Sequence, residues 1–393
     1  MLRSGGEILN RFENFIKRYR IDFRMMRDID RGLLISTIAL ILFGILNIYL
    51  CTKGSLDNIS PFFFAKKQFM WFIISMVVLY LFVVVDYKVI YRYVPVFYWV
   101  SVALLVLVLV LNVQINGAKG WINLGFMQIQ PAELAKFAII LQVSKLMDEM
   151  DWEINNIKNF VKIALFAGLP MGLIAAQPDM GMTMVCFFIV LGMLFIGGLD
   201  RRIIIGGILI AFVSVFLLWN TTLIKPHQKA RLLEFMSPDT EDSTQGYQLS
   251  QSMIGIGSGG LIGNINSFDP DVAPGYTGTH VPEIQTDFIF SAIGEQWGFL
   301  GALVLLGLYI VQISRMIFIS KNTEDRFGSL ICVGMISYFL FAITQNIGMT
   351  IGLMPITGIT LPLISYGGSS LLTTTMAVAL VLNVGMRKRK IHF

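Results

Sequence analysis

From Gly32 onward, long apolar runs separated by brief polar breaks set the pattern of the chain. A helix needs about 20 mainly apolar residues to cross a bilayer. Runs of that kind lie at roughly 32–51, 69–86, 93–113, 162–176, 180–199, 203–219, 288–313, 328–350 and 366–386. One shorter piece, 133–147, carries Glu133, Lys136 and Lys145, yet reads LAKFAIILQVS between its outer two charges. Counting it predicts an all-α polytopic membrane protein with ten transmembrane helices.

The basic residues test that count, because Lys and Arg concentrate on the cytoplasmic side of a membrane protein. With ten spans, one side receives the arginine-rich first 31 residues, Lys88, Arg92, Lys145, Lys158, Lys162, Arg201, Arg202, Arg315, Lys321, Arg326 and the RKRK tail. The other side receives only Lys53, Lys66, Lys67, Lys119, Lys225, Lys229 and Arg231. Dropping the short span would move every later loop, and the tail, to the wrong face. The pattern therefore predicts both termini in the cytoplasm. It divides the chain into a basic segment 1–31, a membrane domain 32–386 and a tail 387–393. A large outer loop, 220–285, falls between the seventh and eighth helices. Loops beyond about 12–15 residues are usually functional or disordered, and the apolar and glycine-rich stretches of this one favour a folded, partly membrane-dipping segment.

Composition agrees. Hydrophobic residues make up 55% of the chain and charged ones 14%, against about 25% charged in soluble domains. The net charge of +5 sets orientation in such a chain rather than pointing to nucleic acid. Ile8, Leu9, Phe12, Phe15, Ile16 and Tyr19 fall at helical spacing among Arg11, Lys17 and Arg18, which predicts an amphipathic helix on the membrane face or against a partner. No small-residue cleavage site follows the first span, so a cleavable signal is not expected. The three cysteines, Cys51, Cys186 and Cys332, show neither disulfide nor metal-ligand spacing and read as apolar packing residues.

Several polar clusters interrupt the pattern. GIGSGG at 255–260 fits GxGxxG, but no strand–helix unit surrounds it, so close packing is the better reading. In HVPEIQTDFIF, Asp287 stands where a new apolar run begins. It is either a helix-start acid, with Thr286 as cap and the helix dipole favouring the anion, or a partly desolvated base facing a polar cavity. Glu283 is its nearest acidic neighbour in sequence. In QPAELAKF, Glu133 and Lys136 are three apart on one helical face, able to pair or to line a cavity. HQKARLLEF supplies His227, Lys229 and Arg231, and NGAKGW supplies Lys119 beside Trp121. Cations on the outer side suit a phosphate at the headgroup level, while Trp121 also suits an interfacial anchor. Asp179 in AAQPDMGMT reads as a helix cap or an outward acid. MPITGITLPLISYGGSS (354–370) predicts a broken, cavity-bordering segment.

QPAELAK, QPDMG, IGSGG, PEIQTDFIF and PITGITLPLISYGGSS, in this order and spacing, resemble the SEDS family (RodA, FtsW, SpoVE) over about residues 32–386. That resemblance implies a ten-span glycosyltransferase that polymerises lipid II into peptidoglycan outside the cytoplasmic membrane, paired with a class B penicillin-binding protein. It maps the family's essential acid onto Asp287, its short-span pair onto Glu133 and Lys136, and its loop tryptophan onto Trp121. Two positions depart from the family pattern. Gly120 stands where an arginine is common, with Lys119 beside it, and Gln285 stands where a histidine is frequent. On this reading Asp287 deprotonates the acceptor sugar's 4-hydroxyl, which attacks the donor's anomeric carbon with inversion. Lys229 and Arg231 stabilise the departing pyrophosphate, with room for a divalent metal. Transport of lipid II, or a scaffold role for the penicillin-binding protein, is the alternative.

Overall fold

A computed structural model describes residues 27–53, 62–111, 114–115, 118–123, 128–218, 244–264 and 275–387. The amphipathic stretch at 8–19, the loop cations His227, Lys229 and Arg231, and the tail after Arg387 lie outside them. The helices are α1 (Arg31–Thr52), α2 (Phe63–Val84), α3 (Tyr87–Leu111), α4 (Pro131–Glu149), α5 (Ile157–Ala176), α6 (Met180–Ile196) and α7 (Arg201–Leu218). They continue with α8 (Thr244–Ser258), α9 (Tyr276–His280), α10 (Ile289–Lys321), α11 (Arg326–Thr350) and α12 (Gly368–Met386).

Among the described residues, α1, α2, α3, α5, α10, α11 and α12 are long and apolar enough to cross a membrane, and α6 is an apolar helix of 17 residues. Helices α4 and α7 occupy the remaining two predicted positions. Several helices outrun their apolar stretches. Helix α2 begins at Phe63 and takes in Lys66 and Lys67, and α10 continues to Lys321. Hydropathy marks where side chains are greasy, whereas the backbone stays helical wherever its hydrogen bonds are kept. Asp and Asn side chains set several starts. Asp30, Asn156, Asp179 and Asp325 each accept a backbone N–H from the first turn that follows, satisfying donors with no partner inside the helix.

Helix α4 explains how a charged segment can belong to the bundle. Its residues from Pro131 to Met147 are nearly all buried, and it packs against α3, α5, α6, α11 and α12. It meets protein rather than lipid, so its polar groups find partners inside the fold. Helix α12 is similarly enclosed and lies along α2.

Two features depart from the sequence reading. Between α3 and α4 the chain forms two minimal antiparallel pairs, β1 (Gln114–Ile115) with β2 (Ala118–Lys119) and β3 (Ile122–Asn123) with β4 (Gln128–Ile129). Two-residue strands are too short to show alternation, so the pattern gave no warning of them. In addition, α10 is two helices joined at Gly298, which takes φ 63° and ψ −160°.

The GIGSGG stretch fits into that break. Phe299 and Leu300 donate their backbone N–H groups to the carbonyls of Gly260 and Leu261, at 2.9 and 3.1 Å. The glycines allow this approach. A β-carbon on Gly259 would stand 2.0 Å from the Gly294 carbonyl oxygen, and one on Gly263 would stand 2.2 Å from that of Gln296. Helix α8 thus lies against α10 as a close-packed element, the packing role expected of these glycines. Cys51, Cys186 and Cys332 are buried and free. At the bundle end away from Asp287, ion pairs Asp30–Arg315, Asp86–Arg387 and Asp151–Arg326 tie helix termini together.

Candidate functional site

The site starts at the first turn of α4. Gln130 precedes the helix and Pro131 occupies its first position, where the missing N–H costs nothing. One turn in, Glu133 Oε2 lies 2.7 Å from Lys136 Nζ, with both residues 3% exposed. The contact is ionic rather than a well-aligned hydrogen bond. Thr373 of α12 donates to the same carboxylate oxygen at 2.9 Å. The ammonium lies 3.9 Å from the centre of the Tyr338 ring on α11, a cation–π contact. Both charges are therefore met by partners from three helices, which a buried pair needs if it is not to be a pure cost.

This pair lines a small open cavity of about 50 Å³, together with Gln130, Asp179, Tyr338, Gly358 and Thr360. That is room for a water or two. Asp179 caps α6 by accepting from Met182 N–H at 2.9 Å, and its second oxygen accepts from Gln130 Nε2 at 3.1 Å. The cap reading of this acid holds, at a position that also borders the cavity.

Asp287 does not itself line this cavity, but it lies against Gly358, which does. It is half-buried, and its Oδ2 would stand 3.4 Å from a β-carbon on Gly358, the glycine of the cavity wall. The residues around it do not form the expected helix start. Helix α10 begins at Ile289 with no side-chain cap, and the Thr286 hydroxyl instead donates to the Glu283 carbonyl at 3.0 Å. Asp287 therefore stands in the turn just before the helix, and Thr286 is not the cap that the sequence suggested.

Bonds to the 359–366 segment and to α11 hold that turn. The carbonyls of Gln285, Thr286 and Asp287 accept, in order, from Tyr366 N–H at 2.8 Å, Ser365 Oγ at 2.5 Å and Asn346 Nδ2 at 2.8 Å. Asn346 Nδ2 donates also to the Ile359 carbonyl at 2.7 Å. Gln68 of α2 bonds to the Ser365 carbonyl and the Gly367 N–H.

The other predicted residues are placed less centrally. Glu283 is exposed with φ 53°, and its carboxylate meets Gln285 and Thr286 at 3.3 and 3.4 Å. Its backbone carbonyl accepts the Asp287 N–H at 3.2 Å. Trp121 is half-buried between β2 and β3 and does not line the cavity. Lys119 pairs through its backbone with Gln114 in the first hairpin. Gly120 is buried with φ 121°, and a β-carbon there would lie 3.2 Å from Gln177 Oε1, so the backbone here suits glycine rather than the arginine frequent in the family. Among the described residues no group of three or more His, Cys, Asp or Glu gathers as a metal site.

Residues overlooked in the sequence include Asn346, Ser365 and Gln68. A buried amide inside an apolar span was the available signal. Glu295 was overlooked too. It is 3% exposed and accepts from Thr277 N–H at 2.8 Å, from Tyr276 N–H and from the Thr277 hydroxyl, fixing α9 to α10.

Comparison with known proteins gives one answer. The family model for FtsW, RodA and SpoVE, described as "Cell cycle protein", matches residues 31–390. A probable peptidoglycan glycosyltransferase FtsW from Tolumonas auensis is 32% identical over 92% of this chain and 93% of its own length. Stage V sporulation protein E from Bacillus subtilis is 33% identical over 92% and 98%. Among solved structures, a chain of a peptidoglycan synthase complex that coordinates polymerization and crosslinking superposes with a TM-score of 0.78 at 29% identity, covering 92% of this chain and 99% of that one. The rod shape determining protein RodA of Thermus thermophilus gives 0.67 at 28% identity over 92% and 98%. The chain belongs to the FtsW/RodA/SpoVE family, the SEDS proteins.

Proposed function

We propose that this protein is a peptidoglycan glycosyltransferase that polymerises lipid II at the outer face of the cytoplasmic membrane. On this reading it has ten spans, both termini in the cytoplasm and the 220–285 loop outside. Relatives named as peptidoglycan glycosyltransferases support the reaction class. The observation that carries the residue-level reading is the approach of Asp287 to Gly358 in the wall of the Glu133–Lys136 cavity.

In the reaction, Asp287 takes the proton from the acceptor sugar's 4-hydroxyl. The resulting oxygen attacks the anomeric carbon of the lipid-linked donor, a glycosidic bond forms, and the bond to pyrophosphate breaks. Polyprenyl pyrophosphate leaves with its charge met by cations, for which the sequence offers Lys229, Arg231 and Lys119. A single displacement inverts the anomeric centre, since no second carboxylate is needed as a nucleophile. Glu133 and Lys136 keep that wall of the cavity polar while cancelling each other's charge. A class B penicillin-binding protein is the proposed partner, supported by the likeness to a chain of a peptidoglycan synthase complex.

The test uses purified protein and purified lipid II, with and without a class B partner, and gel analysis of the glycan products. Wild-type protein is expected to make polymer, and Asp287→Ala none. Polymer at the normal rate from Asp287→Ala would remove this residue from the chemistry. Movement of lipid II across liposome membranes without any polymer would favour the transport alternative.

A further inference from the structure

The strongest unexplained feature beside the site is Asn346. It sits in the last two turns of α11 and is fully buried, next to the buried Gln345. Its amide nitrogen is committed twice, to the carbonyl of Asp287 at 2.8 Å and to that of Ile359 at 2.7 Å. Both neighbours are acceptors, so the NH2 group must face them. The Oδ1 is then left without a hydrogen-bond partner among the described residues. A buried acceptor without a partner is uncommon. The side chain is placed to give hydrogen bonds to two carbonyls, even though its own acceptor goes unmet.

The two carbonyls are informative. One belongs to the candidate base itself. The other belongs to the residue after Gly358, and Gly358, Ile359 and Thr360 all line the cavity. Neither segment is helix or strand at this point, so no backbone ladder fixes their separation. We propose that Asn346 is a positioning residue for Asp287, one amide that sets the distance between the acid and the cavity wall. Ser365 assists from the loop side by donating to the neighbouring Thr286 carbonyl at 2.5 Å. This rests on Asp287 acting as the general base. Reaction geometry is sensitive at this level, since a displacement of about 1 Å can cost about 100-fold in rate.

The experiment compares Asn346→Ala, Asp287→Asn and the double variant as full-length protein with its synthase partner, using lipid II as substrate. Asn346→Ala is expected to lose about 100-fold in kcat, with KM changed less than about twofold. Its pH–rate profile should shift, because the carboxylate's surroundings change, while the Tm falls little. In the Asp287→Asn background, read as the residual rate from labelled lipid II over long incubations, the same substitution should cost nothing further, because Asn346 acts only through Asp287. A wild-type kcat in Asn346→Ala would overturn the proposal. So would an equal loss in both backgrounds, or a fall that tracks Tm with an unchanged pH profile. Full activity in Asp287→Asn would overturn the base assignment instead, whatever Asn346 does. Should Asn346→Ala fail to fold, Ser365→Ala faces the same comparison, with the same outcomes deciding.

Discussion

Asp287 and Gly358 are neighbours in space: a β-carbon on the glycine would stand 3.4 Å from the aspartate's Oδ2, a van der Waals contact. Gly358 also takes φ 71°, in the left-handed region. Gly358→Ala is therefore expected to cost about 1–2 kcal/mol in backbone strain and to bring a methyl group into van der Waals contact with the carboxylate. Polymerisation should fall further than the change in Tm explains. Unaltered turnover in this variant would mean that the carboxylate does not work against this wall.

Removing one partner from a buried ion pair leaves the other charge stranded, typically at about 3–5 kcal/mol. Glu133→Ala and Lys136→Ala are each expected to destabilise the protein on that scale. The double variant Glu133→Leu with Lys136→Met should regain much of the loss, since apolar replacement of a whole pair is often neutral. Thermal unfolding in detergent gives the comparison. Single variants as stable as the wild type would show that the pair is solvated in practice.

Asp179 allows cap and chemistry to be separated. Asparagine caps helices as well as aspartate does, whereas alanine loses about 1 kcal/mol. Asp179→Asn keeps the cap, and its NH2 group can donate to Gln130 once that amide turns over, so stability and polymerisation should be kept, whereas Asp179→Ala should lose stability alone. An inactive but stable Asp179→Asn protein would reveal a role for the charge beyond its bonds to Met182 and Gln130.

The glycine-rich turn makes a stability prediction with a built-in control. Gly259→Ala would push a carbon to 2.0 Å from the Gly294 carbonyl, while Gly257 has open space around it. Overpacking typically costs about 1–3 kcal/mol, so Gly259→Ala should lower Tm and Gly257→Ala should not. Equal effects would place the constraint elsewhere.

Much of this was legible from apolar run lengths and charge bias. Helices α1, α7, α11 and α12 lie where hydropathy put them, because a bilayer demands uninterrupted backbone hydrogen bonding inside a greasy surface. The Glu133–Lys136 pairing was legible from helical spacing. The junction around Asp287 was not. Its geometry depends on Asn346, Ser365 and Tyr366, residues 59 and more positions away, bonding to backbone carbonyls, and such bonds leave no periodic trace. Thr286 misled for a related reason: a threonine before an apolar run suits a cap equally well as a turn, and only the carbonyl of Glu283 decided which.

The break at Gly298 has a mechanical consequence. Amides that a continuous helix would satisfy from within are answered here by Gly260 and Leu261, so the turn after α8 serves as a missing piece of α10. If that turn moved away, Phe299 and Leu300 would lose those partners at once. The end of α8 and the second half of α10 therefore share one set of backbone bonds, and neither can shift without the other.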